Sequence, residues 1–171
     1  MRIALAFLAA LVLLTGCYDT RQRVLQRGQD VGLAAGNWRC QNTNDKDGGS
    51  IALAAPAQAS PGDYVYRAVV DKSGYALRME KSGDLIIVEA DESGGQISHV
   101  FLRREADGSY SMLIPDNRPM LEALAKKTGV ELSFDRLGPP KPSGPPDKIL
   151  AFLRAHTGPE LKKTSTCRKA A

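Results

Sequence analysis

The residues of this chain that could do chemistry are few: two histidines, three cysteines and a scatter of carboxylates. His99 alternates with Ile97 and Phe101 on the apolar face of an expected strand, which reads as a hydrogen-bonded, partly buried histidine. His156 falls in the last turn of an expected helix, where a cation gains about 0.3–1 kcal/mol from the helix dipole. Neither has a companion at metal-ligand spacing. No Gly-x-Ser-x-Gly elbow, Ser-x-x-Lys or His-Glu-x-x-His motif occurs, and Gly48-Gly49 lacks the Lys and Ser/Thr of a phosphate loop. The run from Asn42 to Gly49 imitates the middle of a calcium loop. Its first ligand position is Thr43, however, and its twelfth is Ala54, where a bidentate Glu is needed. It reads as a polar surface turn. Glu80, Glu89, Glu105, Asp71 and Asp84 follow no spacing that forces two of them into one site. The expectation is a non-enzymatic protein with no catalytic residue, no metal and no cofactor. An enzyme built from these carboxylates and His99 is the alternative, and it requires them to converge in one cleft.

The cysteines are more informative. Met1-Arg2 is a short positive start, and Ile3 to Leu14 follow without a charge. That run suits a signal-peptide core and is too short to cross a bilayer, which takes about 20 apolar residues. Leu14-Thr15-Gly16-Cys17 comes next. This stretch resembles the bacterial lipobox: an aliphatic residue, two small residues, then cysteine. The resemblance implies cleavage before Cys17, with Leu14, Thr15 and Gly16 read by the lipoprotein signal peptidase. It implies a covalent diacylglycerol on the Cys17 sulfur and a fatty acyl chain such as palmitate on its freed amine. Two or three such chains anchor stably, since each buried methylene contributes about 0.8 kcal/mol. Tyr18 follows the cysteine where an Asp would mark inner-membrane retention. By the same resemblance the anchor lies in the outer membrane, facing the periplasm.

Cys17 being consumed by lipid, Cys40 and Cys167 remain, and an oxidising compartment favours a disulfide between them. The bridge would close nearly the whole domain into one loop. Two cysteines without a second close pair make a poor zinc site.

Without residues 1–16 the chain keeps 155 residues, with 22 basic against 19 acidic side chains, a balance of +3. That is too mild for a nucleic-acid binder, which would show a concentrated basic face. Lys162, Lys163, Arg168 and Lys169 form a terminal basic group, read as a solvated tail around Cys167, with anionic lipid or cell-wall polymer as the other possibility.

The elements that must position these residues come in two kinds. Residues 17–36 read as a lipidated anchor and tether, because Arg21, Arg23 and Arg27 and glycines at 28, 32 and 36 oppose a long helix. Residues 37–171 read as a single α+β domain. From Trp38 to Ile114 alternating apolar positions are broken by Ser73-Gly74, Ser82-Gly83-Asp84, Gly94-Gly95 and Asp107-Gly108, the signature of strands joined by tight turns. Leu85 to Val88 is a continuous apolar run, as in a more buried strand. Asn117 and Pro119 open a helix that Gly129 ends. Val130 to Phe134 reads as a strand, 138–146 as a Pro-rich extended crossing, and Asp147 to about His156 as a second helix. The expected architecture is an antiparallel β-meander sheet of about five to seven strands, with two short C-terminal helices packed on it and one disulfide.

Gly36-Asn37-Trp38 resembles the Gly-x-Trp opening of lipocalin-like barrels, where the indole plugs one end. A core tryptophan reads the same residues equally well. Small lipid-anchored β proteins also include periplasmic lysozyme inhibitors, which present a Ser-Gly-x-x-Tyr loop. Ser73-Gly74-Tyr75 and Ser82-Gly83 share fragments of that pattern. The expected function is binding or scaffolding of an envelope component, a periplasmic protein or cell-wall partner, by a protein held to the membrane through its lipid. A hydrolase inhibitor or small-ligand carrier is the alternative.

Overall fold

A computed structural model describes residues 17–43, 48–91, 97–134 and 139–170. Its strands are β1 (Tyr18–Thr20), β2 (Gly36–Asn42), β3 (Gly48–Leu53), β4 (Ala57–Ser60), β5 (Asp63–Val70) and β6 (Ser73–Ser82). They continue with β7 (Leu85–Asp91), β8 (Ile97–Arg104), β9 (Tyr110–Pro115), β10 (Glu131–Phe134), β11 (Pro140–Ser143) and β12 (Leu161–Lys169). Two helices, α1 (Arg118–Thr128) and α2 (Pro146–Arg154), flank the β10–β11 hairpin.

The main sheet is closed. Its strands run β8-β7-β6-β5-β3-β2-β12-β9, and β9 pairs back onto β8 through Phe101 opposite Leu113 and Arg104 opposite Tyr110. Every pairing is antiparallel, so these eight strands form an up-and-down barrel in sequence order. β1 adds to β8 where β9 leaves it, and β4 adds to β5.

The barrel overturns the expectation of an open α+β sheet. The physical reason lies in β12, whose Lys162, Lys163, Arg168 and Lys169 read as a solvated tail. Its alternate residues Ser165 and Cys167 are buried, while Arg168 and Lys169 point to solvent. That alternation makes it a strand, and pairing with both β2 and β9 removes two sheet edges at once. The terminal basic group is therefore divided along a barrel strand.

Two cores result. Inside the barrel, Trp38, Tyr66, Met79, Ile86, Val88 and Leu102 pack around the Cys40–Cys167 disulfide. Outside it, Leu85, Ile87, Phe101 and Leu113 meet Leu121 and Ala125 of α1 and Ile149, Phe152 and Leu153 of α2. β7 feeds both cores, which is why all its residues except Asp91 are buried. An eight-stranded barrel leaves an interior just wide enough for side chains or one small ligand.

The helices start and stop on local chemistry. Asn117 Oδ1 accepts a hydrogen bond from the Met120 amide, and Gly129 ends α1 in the left-handed region at φ 70°. α2 begins with Pro146 and ends at Arg154, whose guanidinium forks onto Glu80 at 2.6 and 2.9 Å.

Residues 17–36 lie against the barrel as a strap. Glu89 Oε2, on the outer face of β7, accepts from the amides of Val24 and Leu25 at 2.7 and 2.9 Å. The Gly28 amide donates to Asp63 Oδ1, and its carbonyl accepts from Tyr64. The Gln29 amide then donates to the Met79 carbonyl. The strap turns over the barrel end at Val31, which is buried beside Tyr66 and whose amide donates to that residue's hydroxyl oxygen.

Candidate functional site

The barrel interior holds a cavity of about 150 Å³ with an almost wholly apolar wall. One end is shut. There Trp38 is buried, its Nε1 donates to the Ala34 carbonyl at 3.1 Å, and its ring meets Tyr110 edge-on at 5.6 Å. Val31 and Leu33 of the strap complete that floor. Towards the other end, near the β5–β6 turn, the lining residues Ile51, Val70, Tyr75, Leu77 and Val100 are only half-buried. The cavity opens there.

Alternation along the strands places this wall. Val88 and Ala90 of β7 and Val100 and Leu102 of β8 point inward, whereas Leu85, Ile87 and Phe101 point to the helices. Arg39 and Gln41 on β2 and Arg67 on β5 are exposed on the outer surface. Apolar inside and charged outside is the inverse of a transmembrane barrel. A space of about 150 Å³ has the volume of a benzene-sized guest.

No family model, curated protein or solved structure matches the chain. Its own geometry carries the reading. The resemblance at Gly36-Asn37-Trp38 agrees with the indole closing one end of the barrel. Tyr75 of the Ser-Gly-Tyr fragment lines the cavity, and Ser82-Gly83 leads into the turn at the opposite end.

Cys40 and Cys167 oppose each other across β2 and β12 and are bonded. Cys17 is 1% exposed and lines the cavity. Leu14, Thr15 and Gly16 lie outside the described residues, as does the centre of the 42–49 turn. Among the described residues no group of three histidine, cysteine or acidic side chains is placed to hold a metal.

His99 is fully buried on the outer face of β8, deeper than its expected partial burial. Its Nε2 lies 3.2 Å from Glu89 Oε2, and its Nδ1 has no partner among the described residues. Glu89 is 2% exposed and is committed to the strap amides. His156 differs from its expected role as a helix-end cation. Its Nε2 accepts from the Tyr18 hydroxyl at 2.9 Å and its Nδ1 faces the Phe152 carbonyl at the same distance. Burial pushes its pKa down, so it is neutral. Burial, aided by the Glu160 carboxylate, pushes the Tyr18 pKa up and keeps that phenol a donor.

The other carboxylates separate. Glu80 pairs with Arg154, Glu105 bonds Ser111, Asp71 sits in the β5–β6 turn and Asp84 in the β6–β7 turn at the opposite barrel end. Only Glu89 and His99 meet, beneath the strap. Sequence reasoning passed over Asp63, whose Arg78 partner and Gly28 amide lower the pKa of its carboxyl. The carrier alternative implied a cavity but not which residues line it, because residues lining a cavity and residues filling a core alternate identically.

Proposed function

We propose that the protein is a lipid-anchored envelope lipoprotein whose barrel carries a small apolar ligand or the end of an alkyl chain. The observation that carries the binding reading is the apolar-walled cavity inside a closed barrel, shut by Trp38 at one end and open at the other. It favours a carrier over an inhibitor, which would present a filled core and a protruding loop. The anchor is supported by the uncharged run ahead of Leu14-Thr15-Gly16-Cys17, and the outer-membrane, periplasm-facing location by Tyr18 standing where an Asp would mark inner-membrane retention.

A guest of about six carbons gains about 5 kcal/mol from burial at about 0.8 kcal/mol per methylene. Affinity then falls between the millimolar and micromolar scales. A long chain would insert its end and leave its polar head at the opening.

The test is titration of the mature chain carrying Cys17→Ser with cis-parinaric acid, read by energy transfer from Trp38. Saturable binding is expected. Ala90→Phe, which fills the cavity from β7, should weaken it at least about tenfold while the melting temperature stays near that of the parent. Binding that Ala90→Phe leaves unchanged, or no saturable binding, refutes the carrier reading.

A further inference from the structure

The shut end of the barrel carries a second hollow, a cleft of about 370 Å³ open to solvent. Tyr110 is the wall it shares with the apolar cavity. Strand alternation sets its cations. Met79 of β6 and Leu102 of β8 point into the barrel, so Lys81 and Arg104, two residues further along, take the same face at the rim. Between them stands Ile86 of β7, paired with Lys81 on one side and Leu102 on the other. Arg104 is opposite Tyr110 of β9. Ile86 is thus the floor of the cleft, with Tyr110 and Val31 of the strap as walls. Two strand spacings and a two-residue step put the backbones of Lys81 and Arg104 about 12 Å apart. Two long side chains reach an ion held between them.

Neither Lys81 nor Arg104 makes an ion pair among the described residues. Their charged neighbours are engaged elsewhere. Arg103, on the outer face with Phe101, lies 3.7 Å from Glu105. Asp30 of the strap accepts from the Tyr66 hydroxyl and the Gly32 amide. Asp84, in the β6–β7 turn, is the one carboxylate among the described lining residues.

We propose that this cleft binds a phosphate-class dianion, at a site separate from the apolar cavity. Two free cations facing each other match a doubly charged tetrahedral group, shared between a forked guanidinium and a point-charge ammonium. A carboxylate carries half that charge. Ile86 and the Tyr110 ring keep water from beneath the ion, which strengthens its attraction to both cations. The phosphate belongs either to a soluble ester or to a lipid headgroup. This site does not depend on the carrier reading.

The test titrates the mature chain carrying Cys17→Ser with glycerol 3-phosphate at pH 7.5, where the phosphate is largely dianionic, and follows amide NMR shifts. Saturable shifts should centre on Lys81, Gly83, Arg104 and Tyr110. Acetate should bind at least about fivefold more weakly. Lys81→Gln with Arg104→Gln should weaken phosphate binding about tenfold or more. Lys72→Gln with Arg39→Gln removes two charges from the opposite turn and the outer face of β2, and should leave binding within about twofold. Asp84→Asn, which removes the opposing charge, should tighten binding about twofold or more. All five side chains are exposed, so circular dichroism should show every variant folded. A second arm sediments the same chains with phosphatidylcholine vesicles, with and without phosphatidic acid. Vesicle binding that needs both phosphatidic acid and the cleft cations names a headgroup as the source. Shifts with glycerol 3-phosphate and no such vesicle binding name a soluble ester. No saturable shift and no vesicle binding, equal losses from the two charge pairs, acetate as tight as phosphate, or weaker binding by Asp84→Asn overturns the proposal. Loss of cis-parinaric acid uptake in Lys81→Gln with Arg104→Gln would make the cleft part of the cavity and overturn the separate site.

Discussion

Breaking the Cys40–Cys167 bond should cost the barrel about 3–5 kcal/mol, because the bridge joins the first and last strands of the closed sheet. The two cysteines are 127 residues apart. For a loop of that length the chain-entropy relation gives about 5 kcal/mol of stabilisation, through restriction of the unfolded chain. Residual structure in the unfolded state lowers the figure, hence the range. Cys40→Ala with Cys167→Val removes the bridge and keeps the wall packed. For a chain of this size each kcal/mol shifts the melting temperature by about 2–4 °C. Circular dichroism should therefore show a fall of about 10 °C. Urea titration followed by Trp38 fluorescence should show the midpoint falling by about 2 M, at a slope of about 2 kcal/mol per molar. Trp38 lies two residues from Cys40 and reports the seam directly. A loss below about 1 kcal/mol would refute the argument that loop closure through this seam stabilises the fold.

Two further outcomes follow from contacts of the strap and the helices. A Cβ at Gly28 would stand 2.0 Å from the Tyr64 carbonyl oxygen, so Gly28→Ala should cost about 2 kcal/mol or more in denaturant unfolding. Gly74→Ala, which meets nothing within 4 Å, serves as its control and should stay within about 0.5 kcal/mol of the parent. His156 has a folded pKa pushed below its ordinary 6.5, so the unfolded chain binds the extra proton first. Its contribution is complete above about pH 6.5 and is lost as pH falls towards its folded pKa, at up to about 1.4 kcal/mol per pH unit. His156→Phe should flatten stability between pH 6.5 and 5, and a variant whose slope there matches the parent would refute the assignment.

Much of the strand order was readable, and closure was not. The turns at Gly83 and Gly108 adopt φ of 59° and 80°, as the Ser-Gly-Asp and Asp-Gly pairs suggest. Both helices begin and end close to their capping residues. β12 was hidden because four lysines and arginines mask an alternation carried only by small residues, Ser165 and Cys167. The strap was hidden because Arg21, Arg23 and Arg27 dominate its composition, while its burial depends on Glu89 and Asp63, more than 30 residues away. Closure is a long-range property, yet one clue stood in the chain. Two cysteines expected to bond, one at each end of the domain, place the strands carrying them side by side. A sheet whose ends adjoin is a barrel.

The insertion of α1, the β10–β11 hairpin and α2 between β9 and β12 has a consequence for how the chain is made. Synthesis reaches the closing strand only at Leu161, after every other element has emerged. Until then β2 and β9 are bare rims on an open sheet, and the partner thiol for Cys40 does not yet exist. A product shortened before that point would offer two adhesive borders to other chains, so early termination should yield aggregates rather than a smaller working domain.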